Sequence, residues 1–191
     1  LGRAAGESVF SDARVGFLGR LSPDKGVHTL AQAISMLSAR GTRVKLVVAG
    51  EYRFVDKSSE RFVKESLDSL GTEVMHLGWT TPETLFSMID VLVVPSIWEE
   101  PFGLVVTEAM SANIPVIVSD AGALPEVVGS TYPWIFPAGR QEMLAEMLDR
   151  FLGLPATARA QVARAARSRW QENFSPEAGE KAFLDHLNSL N

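Results

Sequence analysis

Apolar residues along this chain come in short, nearly continuous runs, separated by longer stretches in which they recur at helical spacing. VGFLG (15–19), VKLVVAG (44–50), VMHLG (74–78), VLVVPS (91–96) and PVIVSD (115–120) read as five strands, and WIF (134–136) as a short sixth. Strands that alternate apolar and polar residues have one wet face; continuous runs require a parallel sheet covered on both faces. Between them, VHTLAQAISMLSARG (27–41) carries a helical period and stops at Gly41, a favourable residue just past a helix end. A second helix is expected near 59–70. A third, TPETLFSMI (81–89), has Thr81 as N-cap and Pro82 at its first position. GLVVTEAMSAN (103–113) is the fourth. From Arg140 the pattern is helical throughout: 154–174 is rich in Ala and Arg, and Ser175 and Pro176 open a last helix to Leu190.

Strand and helix alternating at this length imply right-handed crossovers. The expected fold is α/β: a Rossmann-like, doubly wound parallel sheet of about six strands, helices on both faces and a helical C-terminal tail. Residues 1–13 show no period and read as a linker; 14–191 form the domain.

Composition narrows the function. The 191 residues are enough for one domain with a real core, and 46% hydrophobic with 21% charged residues is ordinary for a globular chain. A net charge of −5 argues against nucleic acid as a partner of the whole surface, since phosphate backbones need a basic face. It leaves room for a local basic pocket. With no cysteine there are no disulfides or thiolate metal sites. No apolar run approaches the roughly 20 residues that span a bilayer.

In open parallel sheets, ligands bind beyond the carboxyl ends of the strands, among loops and helix N-termini. After the first strand stand Gly19, Arg20 and Lys25. The two cations suit a diphosphate, Arg as a fork and Lys as a point charge, though a solvated loop would also accommodate them. GFLGR is not a G-x-G-x-x-G fingerprint and there is no P-loop, so a nucleotide would be held differently. After the fourth strand comes EEPFGLVVTEAM (99–110), where Glu100 and Glu108 are eight residues apart around a Pro-Phe-Gly turn. Gly103 permits close approach to the backbone, and the amides near Leu104 and Val105 would open a helix there. Helical spacing puts Glu108 on the face of Leu104. The two carboxylates could accept from different sugar hydroxyls; for Glu108 the helix dipole is an alternative reason. His28, His76 and His186 fall on separate elements and read as structural. Trp98 and Trp134 stand near strand ends, as border or packing residues, and Asp120 and Glu126 are further candidates to line the cleft. The Arg-rich helix at 159–169 reads as a solvated face, a contact with another domain or a membrane-facing surface.

Taken together, GRLSPDKG, PSIWEEPFGLVVTEAMSANIPVIVSDAGALPEVV and RWQENFS resemble the C-terminal half of family 4 glycosyltransferases of the GT-B fold, over most of the chain. The Glu-x7-Glu pair of that family is matched by Glu100 and Glu108. The resemblance implies a nucleotide-sugar donor domain of a retaining, metal-independent hexosyltransferase that needs no cofactor beyond its donor substrate. A UDP-sugar is the leading donor, with GDP- and ADP-sugars open. Arg20 and Lys25 match the diphosphate contacts, Glu100 the donor-sugar contact and Glu108 the ribose contact. Glu100, Arg20 and Lys25 would then be catalytic. Gly19, Phe102 and the backbone at Gly103, Leu104 and Val105 would complete the donor site, with the base near Gly78 and Trp79.

The chain departs from the family in two places. Ala112-Asn113 replaces the usual Cys-Gly, where Asn tolerates a left-handed helix end. Ala123 replaces a frequent Gly. The resemblance also implies a partner domain, N-terminal to residues 1–13, that carries a glycan, lipid-linked or small-molecule acceptor; the isolated domain is expected to turn over poorly or not at all. The full-length enzyme is expected in the cytoplasm, with peripheral association at the inner membrane face open. An epimerase, a phosphorylase-like protein or a non-catalytic nucleotide-sugar-binding module would keep the same cleft. No lysine has a convincing context for a phosphorylase's pyridoxal phosphate.

Overall fold

A computed structural model describes residues 13–189. The linker expected at 1–13 therefore lies outside the described residues except for Ala13, and so does Leu190. Six strands, β1 (Ala13–Leu18), β2 (Val44–Ala49), β3 (Val74–Gly78), β4 (Val91–Val94), β5 (Val116–Ser119) and β6 (Ile135–Phe136), form one sheet in the order β3-β2-β1-β4-β5-β6. Every neighbouring pair is parallel. The order reverses between β1 and β4, so loops leaving these adjacent strands diverge and open a crevice at their carboxyl ends.

Successive residues of the central strands feed two cores. Val15, Phe17, Leu46, Val48, Val91 and Val93 face one layer, formed by α1 (Val27–Ala39), α2 (Lys57–Asp68) and α6 (Gln141–Leu152). Val47, Ala49, Leu92, Val94, Val116 and Val118 face the other, formed by α3 (Pro82–Phe86), α4 (Leu104–Ser111) and α5 (Leu124–Val128). Both faces are thus covered, which is why the strands read as continuous apolar runs. Each fully buried Leu or Phe, such as Leu46, Leu92 or Phe151, contributes on the order of 2 kcal/mol.

Helix α2 starts two residues before the expected 59–70, at a cap that was not expected, whereas the starts and stops expected at Thr81 and Asn113 are met. Asp56 accepts from the amides of Ser58 and Ser59, at 3.0 Å each, and opens α2. Thr81 accepts from the amide of Thr84 and Pro82 starts α3. Asn113 adopts φ 59 just past α4, the left-handed conformation anticipated there. Helix α3 is shorter than the expected 81–89. Asp90 closes a reciprocal pair with β1, donating its amide to the Arg14 carbonyl and accepting the Arg14 amide on Oδ2, each at 2.8 Å. That pulls the chain out of helix before Ile89. Helix α5 was not expected, because five residues between Gly122 and Gly129 carry no readable period.

The tail forms α7 (Ala156–Asn173) and α8 (Pro176–Ser189). Arginines of α7 are used inside the domain. Arg167 donates to the Ser111 carbonyl at the end of α4, and Arg169 donates to the carbonyls of Glu126 and Val127 at the end of α5, both at 2.7 Å. Cations satisfying the last carbonyls of a helix are favoured by its dipole.

Candidate functional site

The crevice at the β1/β4 reversal is built from two loops. The β1 loop runs from Gly19 into a 3-10 turn at Pro23–Lys25 and the left-handed Gly26, which starts α1. The β4 loop runs from Pro95 to Gly103. They are stitched together, since the Ile97 and Trp98 amides both donate to the Asp24 carbonyl, at 2.8 and 3.1 Å. Lys25 Nζ lies 2.5 Å from Glu100 Oε1, and Ser96 Oγ donates to the same oxygen at 2.6 Å. Ser96 is itself fixed by the buried Ser119, whose hydroxyl donates to the Ser96 carbonyl at 2.7 Å. The Glu100 carbonyl accepts the Ala123 amide at 2.8 Å. A Cβ on Gly122, at φ 58, would overlap the backbone of Glu99 and Glu100. Glu100 is therefore held on side chain and backbone by three different loops.

Neither cation is unpaired. Arg20 donates to Asp24 Oδ2 at 2.8 Å and to Ser22 Oγ at 3.2 Å. Partial burial works against the ionised Asp24, but bonds from Ser22 and Arg20 outweigh it and hold the carboxyl below its ordinary value. Lys25 departs from the bland alternative of a solvated loop, being half-buried against Glu100 from another loop, whereas Arg20 is exposed and pairs with Asp24 four residues along its own loop.

Helix α4 begins at Gly103 with φ 87 and has no side-chain cap, which leaves its first amide donors to the recess that Leu104 and Val105 line. Phe102 packs edge-on against Phe174 at the end of α7, 5.6 Å between ring centres. The recess beside Lys25 and Glu100 is lined also by Gly19, Ser96, Phe102 and Gly103. It shares Leu18, Gly19, Leu104 and Val105 with a second, of about 660 Å³, that extends to Glu108, Trp79, Glu51, Arg53 and Phe54. A volume of that order suits a small-molecule ligand. Burial pushes the Glu108 carboxyl upward from its ordinary value, and the charge of Glu83 pushes it the same way.

The structure thus brings Gly19, Arg20, Lys25, Trp79, Glu100, Phe102, Gly103, Leu104, Val105 and Glu108 around one continuous cleft. Gly78 does not line it; its carbonyl accepts the Gly50 amide at 2.8 Å and ties the β2 and β3 loops together. Asp120 turns away to accept the Ala138 amide, and Trp134 is buried against Phe151. Sequence reasoning gave no role to Ser96 or Asp24 and missed the β2 loop. In that loop Arg53 pairs with Glu51 at 2.8 Å and stacks 5.1 Å from the Trp79 ring centre, while Phe54 is almost wholly exposed at φ 58. The signal was there: these residues directly follow a strand on the sheet's binding edge. Among the described residues no three His, Asp or Glu side chains gather as a metal-binding group, and no helix is long and apolar enough to cross a membrane.

The model of the family described as glycosyl transferases group 1 matches residues 6–169. Glycogen synthase of Mycobacterium tuberculosis is 34% identical over 159 residues, 83% of this chain and 38% of that protein. The capsular polysaccharide biosynthesis glycosyltransferase CapM of Staphylococcus aureus is 27% identical over 167 residues, 85% of this chain and 42% of that protein. The crystal structure of Anabaena HepE in complex with UDP superimposes with a TM-score of 0.81 at 25% identity, covering 93% of this chain and 49% of HepE. The chain thus spans about two fifths of these curated relatives and half of HepE.

Proposed function

This chain belongs to the group 1 glycosyl transferases, and from that premise we propose that it is the donor-binding half of a retaining, metal-independent family 4 enzyme that transfers a hexosyl group from a UDP-sugar. The observation that carries this reading is the cleft at the β1/β4 reversal. One end holds Arg20, Lys25 and Glu100, the other Glu108 and Trp79, with the uncapped start of α4 between them. A nucleotide-sugar has that sequence of chemistries: a sugar, a diphosphate, a ribose and a base. Cations and amides meet the diphosphate, Glu100 the sugar hydroxyls and Glu108 the ribose. The base lies against Trp79, beside Arg53 and Phe54. HepE, which was crystallised with UDP, supports uridine as the nucleoside.

In the transfer, the acceptor oxygen bonds to the anomeric carbon as the sugar–phosphate bond breaks. The bonding pair leaves on the diphosphate, whose departing oxygen takes up the acceptor proton. Negative charge grows where Arg20 and Lys25 are already fixed, so no reorganisation is needed during the step. The Glu100 carboxylate lies on the side where positive charge develops. The acceptor would be a glycan, a lipid-linked sugar or a small molecule, held in part by a further domain such as the relatives' greater length would supply, without which turnover is poor. The full-length enzyme would work in the cytoplasm or against the inner face of its membrane.

Calorimetric titration with UDP, GDP and ADP, then with their sugars, tests the reading. UDP is expected to bind, and Lys25→Ala and Glu108→Ala each to weaken it about tenfold, as loss of one hydrogen bond to a charged group predicts. Indifference of the three nucleotides to both substitutions would remove the assignment.

A further inference from the structure

Of the four tryptophans, three have an arginine across the ring. Guanidinium carbons sit 5.1 Å from the Trp79 ring centre, 4.8 Å from that of Trp134 and 4.5 Å from that of Trp170. Trp98 has no such contact among the described residues, and its side chain is 66% exposed. It is nevertheless not on a loose loop, because its amide and that of Ile97 are both bonded to the Asp24 carbonyl. The ring stands beside a third recess, lined by Arg20, Asp24, Lys25, Trp98, Glu100 and Pro101. Lys25 and Glu100 line this recess and the inner one that reaches α4. The ion pair is therefore a wall between an inner, glycine-turned cavity and an outer, aromatic one.

We propose that the outer recess binds a pyranose ring of a glycan acceptor, with Trp98 as its stacking platform. This deepens the donor reading and rests on it: with the donor sugar on the inner side of Glu100, the substrate on the outer side is the one that receives it. The chemistry of the recess selects a sugar over the other ligands an exposed tryptophan attracts. A pyranose has one face of C–H bonds, partly positive, that matches the negative face of an indole. Its rim of hydroxyls both donates and accepts, and the Arg20–Asp24 pair at the outer wall offers remaining N–H donors and carboxylate lone pairs. An apolar peptide or acyl chain would take the Arg20–Asp24 and Lys25–Glu100 pairs out of water without adding a hydrogen bond to them. The pinned loop also presents the ring in one place, so little conformational freedom is lost on binding.

The test is a glycan array probed with this chain in the presence of UDP, using the unaltered protein, Trp98→Ala and Trp98→Phe, alongside calorimetry with UDP and UDP-glucose. Because Trp98 is exposed, neither variant disturbs the core. The expected result is retention of at least one pyranose glycan. The signal falls about tenfold in Trp98→Ala, the size of one aromatic contact plus its buried area, and is partly kept in Trp98→Phe, while UDP titrates unchanged. If no glycan on the array depends on Trp98, the proposal is overturned. It is also overturned if Trp98→Ala weakens UDP-glucose but not UDP, which would move the ring to the donor side. Failure of the unaltered chain to bind UDP would instead strike the donor reading, with the array still reporting on the recess.

Discussion

Lys25 and Glu100 are 75 residues apart in sequence, yet their side chains meet at 2.5 Å at the carboxyl ends of β1 and β4, with 27% and 11% of their surfaces exposed. Lys25 and Ser96 both donate to Oε1 of the carboxylate. The second oxygen is then the one positioned for a ligand, and a diphosphate arriving at Lys25 must share it with a carboxylate.

Glu100→Gln should therefore separate the two halves of the donor. With the competing charge removed, UDP is expected to bind several-fold more tightly, since part of the attraction between Lys25 and its carboxylate is released to the phosphates. The extra affinity of UDP-glucose over UDP should shrink at the same time. Parallel titrations of the two ligands check this; a variant that loses UDP affinity would show that Glu100 aligns Lys25 more than it competes with it.

Gly122 and Gly139 make a controlled pair. Both hold positive φ, 58 and 72, but an added Cβ at Gly139 meets nothing within 4 Å, whereas at Gly122 it overlaps the Glu99–Glu100 backbone. Gly139→Ala should cost about 1–2 kcal/mol, the left-handed penalty alone. Gly122→Ala should cost more, and in addition lower affinity for the donor sugar, because relief of the overlap displaces Glu100. Urea denaturation paired with titration measures both.

Glu108 links binding to pH. Partial desolvation and the charge of Glu83 raise its carboxyl above the ordinary value, so it takes up a proton at higher pH than an unperturbed glutamate. If ribose hydroxyls donate to the ionised form, UDP affinity falls on acidification from that higher pH. Glu108→Gln flattens this part of the profile and weakens binding at neutral pH. Stability runs the other way: a carboxyl with a raised folded value stabilises the fold at low pH, and that contribution is lost as pH rises through it. The variant, free of this penalty, should melt higher than the parent at neutral pH.

His28 supplies a stability switch of opposite sign. Its Nδ1 is buried with no partner among the described residues, its ring lies 4.8 Å from that of Phe62 on α2, and burial lowers its value from 6.5. Between the folded value and 6.5 the unfolded chain binds more protons, so stability is lost as pH falls through about 6.5 and levels off below the folded value. His28→Phe keeps the ring contact and removes the titration. Melting curves of both proteins from about pH 7.5 to 5.5 should therefore diverge on the acid side.

Strand identity, the parallel class of the sheet and the helix caps at Thr81 and Asn113 were legible in the sequence because each follows from short-range rules. Continuous apolar runs require burial on both faces, and cap residues act on amides three residues away. The charged candidates Arg20, Lys25 and Glu100 were likewise legible, as residues in loops following strands, and Glu108 by its spacing from Glu100 on the helix that follows. The sequence could not pair them: Lys25 with Glu100, Arg20 with Asp24, Ser119 with Ser96 are decided by which strands become neighbours. The 3-2-1-4-5-6 order is a global packing outcome, and it alone sets the β1 and β4 loops against each other. Helix α5 and the stacked Arg53–Trp79 pair escaped for the same reason. Five residues carry no period, and an arginine after β2 meets a tryptophan after β3 only because those strands lie side by side. Local chemistry chose the residues; the sheet's reversal between β1 and β4 set them around one cleft.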